Sequence, residues 1–259
     1  MEPLAQWLAD HLVLGALVLT RLSTLLMAMP AVGVGVPKRV RALLALVLTS
    51  LLLPSVASLP ETAAAPAIDN LIELTLAMAR EGLIGMLIGA TIQLIITGIQ
   101  LGGEAITSTG GMQLGDAMDP TSASSMPAMA RMVGMLVTAV MLMVGGHRIL
   151  LGVLLESFSA MPPGQVEFQQ SMLDLVVDQL SAGTAAGVRF AAPVVAALLL
   201  SNLITGLISR TLPQINVLAI GLSINALAML VVLALTIGSA GLIFRDELAV
   251  VAERISQSW

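Results

Sequence analysis

Apolar runs of near-bilayer length, separated by short polar breaks, set the pattern of this chain. Leu12 to Met29 is interrupted only by Arg21, and a turn at Pro30 to Pro37 follows. Lys38, Arg39 and Arg41 then open a second run, Ala42 to Leu53, which Pro54 is expected to end. That run is shorter than the roughly 20 residues a helix needs to cross a bilayer. Gly82 to Gly103 carries no charge, Met132 to Gly146 is a fourth run, and Phe190 to Ser209, with Pro193 and Asn202 inside it, is a fifth. Residues 214 to 244 form the last, with Pro213 marking its start. The pattern predicts an all-α, membrane-associated protein, read as a single domain over residues 1 to 259.

The break between the third and fourth runs is unlike the others. From Gly98 through Glu104 and Asp119-Pro120 to Arg131 it is crowded with Gly, Ser, Thr and Met. Lipid-exposed backbone cannot leave its polar groups unpaired, so a helix-weak segment here is buried in protein, lines a wet cavity or lies outside the membrane. Eight of the 16 methionines fall between Met112 and Met143, and Met126, Met129, Met132 and Met135 are spaced by three along a slowly turning helix face. Flexible, polarizable thioethers suit a surface that repacks around varied apolar partners, although methionine also serves as plain filler in lipid-facing helices. Gly85 with Gly89, Gly98 with Gly102 and Gly183 with Gly187 have the four-residue spacing that lets helix backbones approach closely. A chain with 23 glycines also produces such spacings by chance.

Charges inside apolar runs are costly and often functional. Arg21 is expected to pair with a carboxylate or with a carbonyl of a neighbouring subunit. Arg80-Glu81 and Arg245-Asp246 read as segment-edge residues that snorkel to water. Glu104, beside Gly102-Gly103, fits a helix-end partner or a part in gating.

Composition narrows the class. The chain has 57% hydrophobic and 10% charged residues, so it is an integral membrane protein or a subunit buried on most sides. With no Cys and two His, thiolate chemistry is excluded and a histidine metal cluster is not expected. A formal charge of -5 argues against nucleic acid, leaving proteins and lipid as partners. Glu2 and Asp10 precede the first run where a signal peptide would be basic, so the N-terminus reads as retained structure. Six crossings would put Lys38, Arg39, Arg41, Arg131 and Arg210 on one side and Arg80, Arg148, Arg189, Arg245 and Arg254 on the other. This balance leaves orientation open. The chain has no Tyr, and its only Trp residues, Trp7 and Trp259, lie at the extreme ends, so the usual interfacial belts are missing. No nucleophile elbow, Walker lysine or Gly-x-Gly-Asp segment is present, so no enzymatic activity and no cofactor are expected.

Several separated segments, in order, resemble the FliR family of flagellar export-gate proteins, whose injectisome relatives are called SctT. They are Val36-Pro37-Lys38-Arg39-Val40-Arg41, Gly103-Glu104 leading to Asp119-Pro120, Met126-Pro127 with Ala130-Arg131, and Gly146-His147-Arg148. Further on come Met161-Pro162-Pro163-Gly164, Pro193 through Asn202-Leu203, and Pro213-Gln214-Ile215-Asn216-Val217 with Gly221. The resemblance implies a subunit of a closed helical gate in the bacterial inner membrane at the flagellar basal body, assembled with FliP-like and FliQ-like subunits beside FlhB-like and FlhA-like export proteins. Unfolded flagellar proteins would pass through it. Its helices would be kinked hairpins drawn out of the plain bilayer by assembly. It further implies that a loop at about 104 to 120 plugs the pore, with Glu104, Gly110, Gly111, Met112, Gly115, Asp119 and Pro120 as gating candidates. Gly110-Gly111 and Asp116 depart from the family's usual pattern there. On this reading Met126, Met129, Met132 and Met135 form the adaptable surface, and Arg21 is an assembly charge. Two other functions compete with a flagellar gate: an injectisome gate subunit, and a secondary transporter with Arg21, Gln93, Gln100, Glu104, Asn202, Asn216 and Asn225 around a midplane site.

Overall fold

A computed structural model describes residues 11–33, 36–59, 70–111, 128–166, 170–211 and 220–232, with 234 and 250 singly. Its elements are α1 (Leu12–Ala28), α2 (Pro30–Gly33), α3 (Lys38–Ala57), α4 (Leu71–Thr109), α5 (Ala128–Val144), α6 (Gly146–Ala160), α7 (Gln170–Thr211) and α8 (Ile220–Val232). Among the described residues there is no strand.

Local chemistry sets the ends of these helices. α1 buries Leu17, Val18, Arg21, Leu22, Leu25 and Leu26, a stripe at the three-and-four spacing of one helix face. It stops at Met29, which is extended at φ -69, ψ 125, as the residue before a proline tends to be. α3 does not end at Pro54 as expected but continues to Ala57. A proline in the last turn forfeits one backbone bond, and Ser58 and Leu59 still close back onto the carbonyls of Pro54 and Val56.

α4 and α7 extend well beyond the uncharged runs that mark them in the sequence. With 39 and 42 residues, they are roughly 58 and 63 Å long at 1.5 Å per residue, about twice the hydrocarbon thickness of a bilayer. α3, α4 and α7 are long and apolar enough to cross a membrane, and α5 with α6 adds a fourth if the two count as one span broken at Gly145.

The chain divides into two compact units, residues 1–93, 145–179 and 248–259 in one and residues 94–144 and 180–247 in the other. In the first, α1 and α3 lie antiparallel, with Gly15 near the start of α1 facing Leu53 near the end of α3. The early part of α4 runs parallel to α1. Gly82 faces Thr20 and Thr24, Gly85 faces the Arg21 carbonyl, and Gly89 faces Ala28 and the Leu25 carbonyl. Ile84, Ile88 and Ile92 continue the buried stripe of α4 between these contacts.

In the second unit, α4 lies parallel to α7, with Gly98 against Gly183 and Gly102 against Gly187. α5 packs antiparallel on α4, with Ala130 at Gly103 and Gly134 at Gln100. α8 returns along α7, with Gly221 at Thr205. All three glycine pairs singled out by spacing therefore lie at helix crossings.

Candidate functional site

The most buried charge is in the first unit. Arg21 and Glu81 are both fully buried, and the Arg21 Nε donates to Glu81 Oε2 at 2.5 Å. Nη1 donates to the carbonyl and the hydroxyl of Ser157, at 2.9 and 3.1 Å, and Nη2 donates to the Met161 carbonyl at 3.0 Å. The other carboxylate oxygen of Glu81 accepts the Gly164 N–H at 2.8 Å. The guanidinium carbon stands 4.4 Å from the centroid of the Phe158 ring, within cation–π range.

Each helix contributes for a local reason. Gly85 lets α4 approach the α1 backbone at Arg21 itself, which brings Glu81 one turn earlier within reach. The turn after α6 holds Gly164 at φ 85, a conformation that glycine adopts without strain, and so aims its N–H at the carboxylate. Planar guanidinium geometry satisfies four acceptor groups on three residues at once, which a lysine ammonium would not match.

Two expectations change here. Arg21 has its carboxylate within its own chain, 60 positions along, and the carbonyls it bonds are also its own. Glu81 is not a snorkelling edge residue but a buried partner, because α4 begins ten residues before it and carries it into the packed part of the unit. With every polar atom facing another and no accessible surface, the cluster acts as a lock joining α1, α4 and α6.

The second polar cluster lies in the other unit, at the end of α4. Asn202 on α7 donates its amide to the Thr109 carbonyl at 3.0 Å. Asn225 on α8 donates to the Gly110 carbonyl at 3.3 Å and to Asn202 Oδ1 at 2.7 Å, and its own Oδ1 accepts the Ser201 hydroxyl at 2.7 Å. The last carbonyls of a helix have no partner within it, so two asparagines on other helices cap this end. Beyond the cap, Gly111 takes φ 74.

The gating candidates separate accordingly. Residues 104–109, expected to open a loop, are helical, and Thr107 bonds back to the Gly103 carbonyl at 2.9 Å. Glu104 is half-buried and Gly110 is buried beneath Asn225. Met112, Gly115, Asp119, Pro120 and Met126 lie outside the described residues, as do Asn216 and Arg245-Asp246. Met129 lies in α5, while Met132 and Met135 are 56% and 72% exposed on it. Of the polar set considered for a transporter, the structure joins Asn202 to Asn225, whereas Arg21 belongs to the first unit and is bonded to Glu81. Among the described residues no three His, Asp or Glu side chains gather as a metal site requires.

Nothing in the sequence singles out Ser157 or Ser201, and Glu81 reads there only as an edge residue. A signal for Glu81 was present in the adjoining Gly82 and Gly85, whose spacing marks a face of close helix contact.

The family model for bacterial export proteins, family 1, matches residues 12–250, nearly the whole chain and every described helix. The chain belongs to the FliR family of these export proteins. It is 26% identical over 240 residues to the flagellar biosynthetic protein FliR of Caulobacter vibrioides, covering 92% of this chain and 94% of that one. Identity to the FliR of Escherichia coli K12 is 30% over 190 residues, 72% of this chain and 69% of the relative, and to that of Bacillus subtilis 24% over 177 residues, 67% and 68%. The FliR match spans both clusters, so the buried ion pair and the asparagine cap both lie within the region shared with the family.

Proposed function

We propose that this FliR-family chain is a structural, non-enzymatic subunit of the flagellar type III protein export gate, helping to form and close the pore through which unfolded flagellar proteins leave the cell. The observation that carries this reading is a family match running from residue 12 to residue 250, with a flagellar FliR relative aligned over 92% of the chain. Physical features support it. α3 and α7 leave large apolar side chains exposed along their length, among them Leu43, Leu46, Leu51, Leu199 and Leu203, which lipid or apolar partner helices would cover. The partners in this reading are FliP-like and FliQ-like gate subunits, with FlhB-like and FlhA-like export proteins alongside, in the inner membrane at the flagellar basal body.

Deleting the gene in its own host tests the reading. Cells are expected to lose their filaments and retain flagellar export substrates inside, and a plasmid copy should restore both. Intact motility with loss of a contact-dependent secreted effector would assign the chain to an injectisome gate instead. Normal filaments and normal secretion would overturn the proposal.

In this reading the segment following α4 also closes the pore. Removing residues 112–118, which leaves the Asn202 and Asn225 contacts in place, is expected to yield an assembled but leaky gate, read as ion flux across vesicles containing the complex. Membranes as tight as wild type at equal complex yield would remove that role from the segment and make the Met132 and Met135 face the next candidate seal.

A further inference from the structure

The end of α4 adds side-chain bonds from other helices to the backbone closure that also ends α1 and α6. α1 and α6 close with backbone N–H groups from the next residue, at Met29 and Met161. α4 closes in the same way, with the Gly110 N–H on the Ile106 carbonyl, and in addition gives the Thr109 and Gly110 carbonyls to Asn202 and Asn225 on two other helices, of which Asn225 is almost wholly buried. Asn225 engages both of its amide donors on that end of the unit, and its oxygen accepts the Ser201 hydroxyl. A buried amide matched in this way fixes the register of α8 against the ends of α4 and α7.

We infer that Asn225 is a positioning residue for the exit of α4. It holds the carbonyl of Gly110 against α8 and, through Asn202, that of Thr109 against α7. The end of α4 is thereby held in one place against α7 and α8. This inference rests on the proposed function for one consequence, that a fixed α4 end is needed for the gate to close.

The absence of cysteine from the chain permits a direct test. A pair of cysteines replacing Ser108 and Leu203, both exposed within the chain, is spin-labelled in the assembled gate and the distance distribution between the labels is recorded. A single narrow peak is expected with Asn225 intact. Asn225→Leu, similar in size but without donors, should lose that peak in favour of a broad distribution. Ser201→Ala leaves both Asn225 donors in place and should keep the peak. Should Asn225→Leu fail to assemble, Asn202→Leu removes the bond to Thr109 and is read by the same criterion.

Ion flux through the same preparations separates the inference from the reading beneath it. A broadened distribution with raised flux supports both. A broadened distribution with flux unchanged supports positioning by Asn225 and counts against a part for the α4 end in closure. A peak that stays narrow in the leucine variant, or that broadens equally in Ser201→Ala, overturns the inference whatever the flux.

Discussion

Arg21→Leu is expected to remove most of the folded chain from the membrane. The substitution leaves Glu81 as a buried carboxylate with only the Gly164 N–H for company, strips the Met161 carbonyl of its donor and leaves the Ser157 carbonyl with the Met161 N–H alone. Breaking a buried pair by removing one member costs about 3–5 kcal/mol, which is comparable to the whole stability of a modest domain. Glu81→Leu should be equally damaging from the opposite side, since it strands a guanidinium.

The informative variant is the double one. Arg21→Met with Glu81→Leu removes both charges and their desolvation, so it should recover part of the loss. Recovery stays incomplete because the Met161 carbonyl and the Gly164 N–H lose their partners, and each unpaired buried group costs about 1–3 kcal/mol. Chain level by immunoblot and thermal unfolding in detergent should therefore rank wild type above the double variant and the double above either single. Equal losses in all three variants would mean that the pair is not energetically coupled.

Gly98→Ala should be the most damaging conservative change in the second unit. A methyl group there collides with the carbonyl of Gly183, and backbone, unlike the tip of a long side chain, cannot swing aside. α4 and α7 would have to separate, and overpacking of this kind costs about 1–3 kcal/mol or more. Gly187→Ala meets the Gly98 carbonyl and should behave alike. Gly152 provides the control, because nothing lies within 4 Å of the added carbon and alanine favours the helix by about 1 kcal/mol. Thermal unfolding should place Gly98→Ala far below wild type and Gly152→Ala at or above it. If the two alanine variants unfold together, the close crossing is not a source of stability.

What the sequence showed and what it hid follow from how each signal arises. Helix-period apolar runs made the all-α class legible, and glycine spacing pointed to the crossings at Gly85, Gly98 and Gly183, because both depend on neighbours a few positions away. The true extents of α4 and α7 were hidden because a charge-free run marks only what lipid tolerates. Glu73, Arg80, Glu81, Asp174, Asp178 and Arg189 all sit inside those helices. The partners of Arg21 were hidden for another reason, since a bond across 136 positions leaves no periodic trace in the sequence. The asparagines were visible as polar residues in apolar runs, but only the antiparallel return of α8 along α7 shows that they share one carbonyl cap.

The span of the Arg21 cluster also orders events during synthesis. Glu81 is made 60 residues after Arg21 and the Ser157 carbonyl 136 residues after it, a delay of roughly 7 to 27 seconds at usual translation rates. Throughout that interval the guanidinium is without most of its eventual acceptors. The first helix therefore enters its surroundings carrying a charge that only later segments neutralise, and the Arg21 cluster becomes complete when the turn at Met161 to Gly164 has left the ribosome and folded back.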